Sequence, residues 1–235
     1  MQTLRDKVII ITGAGGAIAG AVEQAFADAG ARPLLVDRDV VRIQGRASSF
    51  STPPIVSDIG TMAKAQEMVE KAKEFHGVVD GLVHLVGDIV TGQVIDLDED
   101  AFDRVFDSNM RTLYYATKAV LPELLKREEG LIAGIASQEA WGGGAAGASL
   151  FAASKSAVAT FLRSLDQELV HTGIEVAIAF PMGPVDTLCN RRDLPDIDPR
   201  SLINPKAIAD ALVTAALSGI GGRLLELPIH PPRSH

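Results

Sequence analysis

The stretch from Lys7 to Gly30 constrains this chain more than any other part of it. Val8, Ile9, Ile10 and Ile11 form a short, β-branched, wholly apolar run, the composition of a strand buried on both faces. Thr12-Gly13-Ala14-Gly15-Gly16 interrupts that run at once. From Ile18 the apolar residues recur at helical spacing (Ile18, Val22, Ala25, Phe26, Ala29), and Gly30 supplies a C-terminal cap. The sequence therefore predicts strand, glycine turn and helix. Such a turn aims free backbone N–H groups and the positive end of a helix dipole at one point, where a phosphate can sit.

The same alternation continues down the chain. Further strands are expected over 32–36, 54–59, 79–87, 130–137, 174–180 and 222–227. Helical patterns fill 61–75, about 98–107, 109–126, 151–171 and 206–217. This order predicts an α/β protein: a Rossmann-type doubly wound parallel sheet of about seven strands, with helices on both faces, as a single domain over 1–235. With 235 residues, 47% of them hydrophobic, the chain fills one large core but cannot add a separate catalytic domain. Any active site must be built from loops beyond the carboxyl ends of the strands.

Composition removes other classes. A formal net charge of −8, with Lys and Arg scattered rather than striped, argues against nucleic acid as a partner. No apolar run approaches the roughly 20 residues of a membrane span, and the first strand begins too early for a signal peptide, so a cytoplasmic protein is expected. Cys189 is the single cysteine, and His76, His84, His171, His230 and His235 are dispersed, so neither a disulfide nor a metal site is expected. Asp37 lies roughly 20 positions past the turn, placed to accept hydrogen bonds from an adenosine ribose and to repel a 2′-phosphate. That favours NAD over NADP, although Arg38 beside it can stack on adenine or receive a phosphate. The plainer reading of both residues is an exposed charged loop.

Gly13-x-x-x-Ala17-x-Ala19 resembles the TGxxxGxG turn of the short-chain dehydrogenase/reductase family, with alanine at two of its three glycines. The resemblance runs from Lys7 to about Leu227 and implies an NAD(P)-dependent oxidoreductase acting on a small-molecule substrate. By it, Gly13, Gly16 and Ile18 belong to the cofactor-binding turn, and Asp58 and Ile59 to the adenine, on the same adenosine side as Asp37 and Arg38. The family's NNAG segment reads His84-Leu85-Val86-Gly87 here, so Gly87 alone is retained, and His84 is read as a hydrogen-bonded structural histidine. Pro181-Met182-Gly183-Pro184-Val185-Asp186-Thr187 resembles the PGPVxT turn with one residue inserted. This assigns Pro181, Gly183, Val185 and Thr187 to the coenzyme. Residues 188–204 take the place of a substrate lid, where Arg191 and Arg192 are candidates to receive an anionic substrate. Relatives pair through the two long helices, which implies a homodimer or homotetramer, with Tyr114 and Tyr115 as packing or contact residues.

The catalytic set implied by the resemblance is Asn109, Ser137, Lys155 and a tyrosine four residues before the lysine, and the last of these is Phe151. In the family, the phenol protonates the alkoxide left by hydride transfer, and the lysine lowers its pKa and holds the nicotinamide ribose. The serine binds the carbonyl oxygen. Losing the phenol removes general acid help worth roughly 10²- to 10⁴-fold, about 3 to 5.5 kcal/mol. The gap from Ser137 to Phe151 is one residue longer than usual, which leaves Ser149 and Ser154 as nearby hydroxyls. Neither lies four residues before Lys155, and aliphatic hydroxyls are poor acids. A lone introduced Tyr-to-Phe change would leave the rest of the pattern intact, whereas the glycine turn and the NNAG segment have drifted too, which favours natural divergence. Two functions remain: an oxidoreductase whose ordinary alcohol or ketone turnover is weakened or altered, or a catalytically silent nucleotide-binding or assembly protein.

Overall fold

The computed structural model describes residues 1, 3–47, 52–219 and 222–233; Ser234 and His235 of the tail lie outside them. Seven parallel strands form one sheet in the order β3-β2-β1-β4-β5-β6-β7. They are β1 (Val8–Thr12), β2 (Arg32–Asp37), β3 (Ile55–Val56), β4 (Gly81–His84), β5 (Glu129–Ile135), β6 (Gly173–Pro181) and β7 (Glu226–Ile229). The helices are α1 (Ala19–Asp28), α2 (Val40–Ala47), α3 (Met62–His76), α4 (Ala101–Phe106), α5 (Thr112–Arg127), α6 (Gln138–Trp141), α7 (Ser149–Glu168), α8 (Leu188–Asp193) and α9 (Pro205–Leu217). A π-turn over Asp107–Arg111 joins α4 to α5.

Side chains alternate across a strand, and two hydrophobic layers follow from that alternation. Ile10, Leu82, Ile132 and Ile178 face one layer with Met68, Val120 and Leu162, which come from α3, α5 and α7. Ile9, Ile11, Val83 and Ala177 face the other, with Val22, Phe26, Ile43 and Leu212 from α1, α2 and α9. The isoleucine run of β1 is thus required by a strand with core on both sides, each side chain contributing about 1.5–3 kcal/mol on burial. Sequence order reverses between β1 and β4, so a crevice opens beyond their carboxyl ends.

Several boundaries differ from those the sequence predicts. The strand expected over 54–59 is only Ile55–Val56, because it is the sheet edge and Asp58 turns back to accept the Gly60 N–H at 3.1 Å. The loop after β2 holds α2, whose short amphipathic pattern was not anticipated. The segment after β5 begins with the short α6, where Trp141 packs edge-on against Phe180 at 4.7 Å. β7 lies several residues later than 222–227, its register fixed by Leu227 opposite Ala179 and Pro228 opposite Phe180. Part of the proline-rich tail therefore belongs to the sheet.

Candidate active site

A cleft of about 690 Å³ occupies the crevice. Its floor is the end of β1 and the glycine turn, its sides the ends of β2, β3 and β4, and its far wall the π-turn before α5. Gly13 has φ +70°, and a Cβ there would sit 2.7 Å from the Val86 nitrogen, so the backbone of β1 and that of the segment after β4 meet with no room for a side chain. Gly16 closes the turn by donating its N–H to the Gly13 carbonyl at 2.9 Å. Ala19 is buried at the start of α1, while Ala17 is exposed. The two alanines thus differ: one methyl fills core, the other points to solvent. Ile18 caps α1 and does not line the cleft.

The cleft gathers Gly13, Gly16, Asp37, Arg38, Asp58, Ile59 and Gly87 from the predicted set. Asp37 is held by backbone: its two carboxylate oxygens accept N–H bonds from Gly15 and from Asp39, both at 2.8 Å. A carboxylate has roughly four acceptor sites, so each oxygen keeps capacity for a ligand hydroxyl. Arg42 also lines this end and pairs with Asp39 at 3.1 Å. Arg104 and Arg111 line the opposite wall, and Arg111 pairs with Asp107 at 2.7 Å. Sequence reading missed both: Arg104 comes from α4 and Arg111 from the π-turn that follows it, and no spacing rule predicts such a turn.

His84, at the end of β4, is held from two sides. Thr112 donates its hydroxyl to the Ser108 carbonyl, so it must accept from His84 Nε2 at 3.1 Å, which leaves His84 Nδ1 to accept from the Thr12 hydroxyl at 2.8 Å. This chain ties β1, β4 and the start of α5 together beneath the cleft. Burial, with the nearby Lys155 charge, lowers the His84 pKa to about 3, so the ring is neutral.

The residues of the implied catalytic set lie around the end of β5 and the first turns of α7. Asn109, in the π-turn, accepts the Asp88 N–H at 2.8 Å and donates to the Asp88 carbonyl at 2.9 Å and to Ser154 Oγ at 2.8 Å. Ser154 in turn donates to the Phe151 carbonyl at 2.8 Å. Ser154 is therefore a structural bridge in this network; only its place beside Lys155 hinted at it. Lys155 Nζ donates to the Ile135 carbonyl at 2.9 Å and lies 5.9 Å from the centre of the Phe151 ring, as expected for residues one turn apart. A Cβ on Gly87 would sit 2.9 Å from Asn109 Oδ1 and 3.1 Å from Lys155 Nζ, so the retained glycine makes room for both head groups. Burial lowers the Lys155 pKa from its ordinary 10.5 to about 8. Phe151 packs with Val90, Val105 and Leu150 in a small apolar cluster. Ser137 Oγ is buried and has no hydrogen-bond partner among the described residues.

Pro181, Gly183, Val185 and Thr187 continue from the end of β6 and lie outside the cleft wall. Val185 bridges Ile203 through the Pro184 carbonyl and the Asp186 N–H, a pairing that does not use its own N–H. Thr187 caps α8 by accepting the Asn190 N–H at 3.1 Å and keeps its hydroxyl hydrogen. Gly183 abuts the tail instead of the cleft: a Cβ would meet Pro231 at 2.7 Å. Arg191 forks onto Asp186 at 2.5 and 2.8 Å, and Arg192 pairs with Asp193 at 2.7 Å. Neither arginine waits as an open anion receptor; neighbouring aspartates take both.

Fold and site together define a Rossmann-type α/β domain with its cleft at the switch point of the sheet. Within that class the chain belongs to the short-chain dehydrogenase family, whose model matches residues 7–197. An uncharacterized oxidoreductase of Staphylococcus saprophyticus is 31% identical over 98% of this chain and 100% of its own. One of Staphylococcus aureus is 27% identical with the same coverage. Among solved structures, the 3-ketoacyl-(acyl-carrier-protein) reductase from Brucella melitensis complexed with NADH superposes with TM-score 0.83 at 25% identity, covering 97% of this chain and 98% of that one. A short-chain dehydrogenase/reductase from Burkholderia phymatum in complex with NAD has the same fold, with TM-score 0.83 at 20% identity over 97% and 90% of the two chains.

Proposed function

We propose that this protein is an NAD-dependent oxidoreductase acting on a small molecule, and that Phe151 stands where the family places its proton-donating tyrosine. The observation that carries the reading is Lys155: a buried ammonium beside a phenyl ring one turn away, with the π-turn asparagine and a retained glycine against it. The residues fit the coenzyme. Gly13 and Gly16 line the cleft at the turn, where φ +70° and the approach of the Val86 backbone leave no room for a Cβ at residue 13; Asp37 presents fixed carboxylate oxygens for the ribose, and Asp58 and Ile59 line the adenine end. The solved relative that binds NADH at 25% identity supports the same assignment.

The coenzyme supplies hydride when bound. This chain's own residues then position the substrate: Ser137 offers a buried hydroxyl with no competing partner among the described residues, and Lys155, anchored on the Ile135 carbonyl, is the group to hold the nicotinamide ribose. No phenol is present at residue 151, so protonation of a nascent alkoxide is left to slower donors, and neutral ketones turn over slowly. Val185 and Thr187 serve the carboxamide side, and 188–204, with Leu188 projecting into solvent, forms the substrate lid. The protein acts in the cytoplasm as a homodimer or homotetramer through α5 and α7, consistent with the exposed Tyr114 and Leu125 on α5. A catalytically silent nucleotide binder is the second reading, favoured by the same missing acid. The test is a fluorescence titration with NADH and NADPH followed by a substrate panel. Saturable NADH binding is expected, tighter than NADPH. Absence of binding to either coenzyme refutes both readings, and appreciable NADH-dependent turnover refutes silence.

A further inference from the structure

A second cavity, of about 430 Å³, lies at the end of the sheet opposite the coenzyme cleft and shares no lining residue with it. Its walls come from the residues that lead into β1, β5 and β6 and from the carboxyl end of α9. Side chains alternate along a strand, and Lys7, Glu129 and Glu175 each stand two residues before Ile9, Leu131 and Ala177, which face the layer under α1 and α9. All three therefore point to the same face of the sheet. Lys7 pairs with Glu129 at 3.2 Å and with Asp80 at 3.6 Å, so its charge is matched. Glu175 is different. It is 7% exposed, lines the cavity, and has neither a hydrogen bond nor an ion pair among the described residues. The backbone comes down onto it: a Cβ at Gly219, where φ is +109°, would overlap Glu175 Oε1.

We propose that this cavity binds a small organic ammonium ion, whose charged N–H group donates to the Glu175 carboxylate. A buried carboxylate with no partner is costly, and what it needs is a positive charge carrying donors. Burial pushes the Glu175 carboxyl above its ordinary range against the pull of the N-terminal ammonium and the Arg223 guanidinium. Neither forms an ion pair with it among the described residues, and Arg223 is already bound to Asp166. The 13-residue α9 ends at the cavity through Ser218 and Gly219, and the carboxyl end of a helix favours a cation. A bare metal ion fits the donor set poorly. Calcium takes six to eight oxygen ligands; here the second carboxylate, Glu129, is held by Lys7, and no group of three ligating side chains occurs among the described residues. A cavity of this volume has the size of an organic ligand's pocket. A net charge of −8 also draws cations towards the protein.

The test uses the full chain without coenzyme, so its outcome is independent of the oxidoreductase reading. The probe is n-butylammonium chloride, with n-butanol as its uncharged counterpart and potassium and magnesium chloride as inorganic cations, all at matched ionic strength. Saturation-transfer NMR on the organic probes gives affinity, and thermal melts follow all four. Butylammonium is expected to bind saturably and to raise the melting temperature, while butanol and the inorganic salts do not. Glu175→Gln should weaken butylammonium binding at least roughly 10-fold. Without ligand that variant should melt no lower than wild type, because it removes an unpaired buried charge. Thr3→Lys, at an exposed position of the cavity wall, brings a resident ammonium to the site and should weaken binding by a similar factor; it decides the question alone if Glu175→Gln does not fold. Absence of saturable butylammonium binding, equal affinity for butanol, or an affinity unchanged in the variants overturns the inference. So does a melting-temperature rise with potassium or magnesium, lost in Glu175→Gln, that butylammonium does not produce.

Discussion

Replacing Lys155 by methionine should make the protein more stable at neutral pH, by an amount that disappears in alkali. The lysine is 7% exposed, its ammonium bonds the Ile135 carbonyl at 2.9 Å, and burial lowers its pKa from 10.5 to about 8. At about 1.4 kcal/mol per tenfold change in proton affinity, holding the charged form in the fold costs about 3 kcal/mol. Below about pH 8 the amine is charged in folded and unfolded chains alike, and the whole cost is present. Between about 8 and 10.5 the folded chain has lost its proton while the unfolded chain keeps it, so wild-type stability rises with pH through this window. Methionine keeps the length and removes the charge but leaves the Ile135 carbonyl without this donor, a loss of about 1–3 kcal/mol. The net gain at pH 7 is therefore small, about 0–2 kcal/mol from these two magnitudes. The pH dependence is the sharper quantity. Urea denaturation at pH 7 and pH 10 should show wild type gaining most of about 3 kcal/mol relative to Lys155→Met. Parallel stability curves for the two proteins would mean that Lys155 carries no desolvated charge, and the explanation of its role would be wrong.

His84, neutral in the fold with a pKa near 3 against an ordinary 6.5, makes wild-type stability fall as pH drops below 6.5. His84→Gln should flatten that fall in thermal melts between pH 7.5 and 4.5, and should cost about 1–3 kcal/mol at pH 7.5 by leaving Thr12 and Thr112 poorly paired. Gly13→Ala places a Cβ 2.7 Å from the Val86 nitrogen at φ +70°. It should cost at least about 1–2 kcal/mol from the left-handed backbone alone, measured by urea midpoint, and should abolish NADH binding. Unchanged coenzyme affinity in that variant would show that the turn is not the pyrophosphate site.

The elements with strong periodicity were legible in the residues themselves. β1, its turn and α1 follow from four apolar β-branched residues, a glycine cluster and a helical stripe, and the crevice follows from their order. What sequence hid was set by tertiary contacts. Nothing local marks 107–111 as a π-turn, yet that turn aims Asn109 at Asp88 and Ser154 and brings Arg111 to the cleft. The pairing of Arg191 and Arg192 with aspartates five and one residues away was within reach of charge patterning, but depended on α8 forming inside a segment read as irregular. His84 was legible as a structural residue; its two threonine partners, drawn from β1 and α5, were not.

The proposed function places a coenzyme beside residue 151, which carries no phenol. It is tested most directly by steady-state reduction of neutral ketones with NADH in wild type and Phe151→Tyr, alongside NADH affinity for each. Equal affinity is expected, with ketone turnover roughly 10²- to 10⁴-fold higher in the tyrosine variant. Ketone turnover by the wild type equal to that of the variant would contradict it.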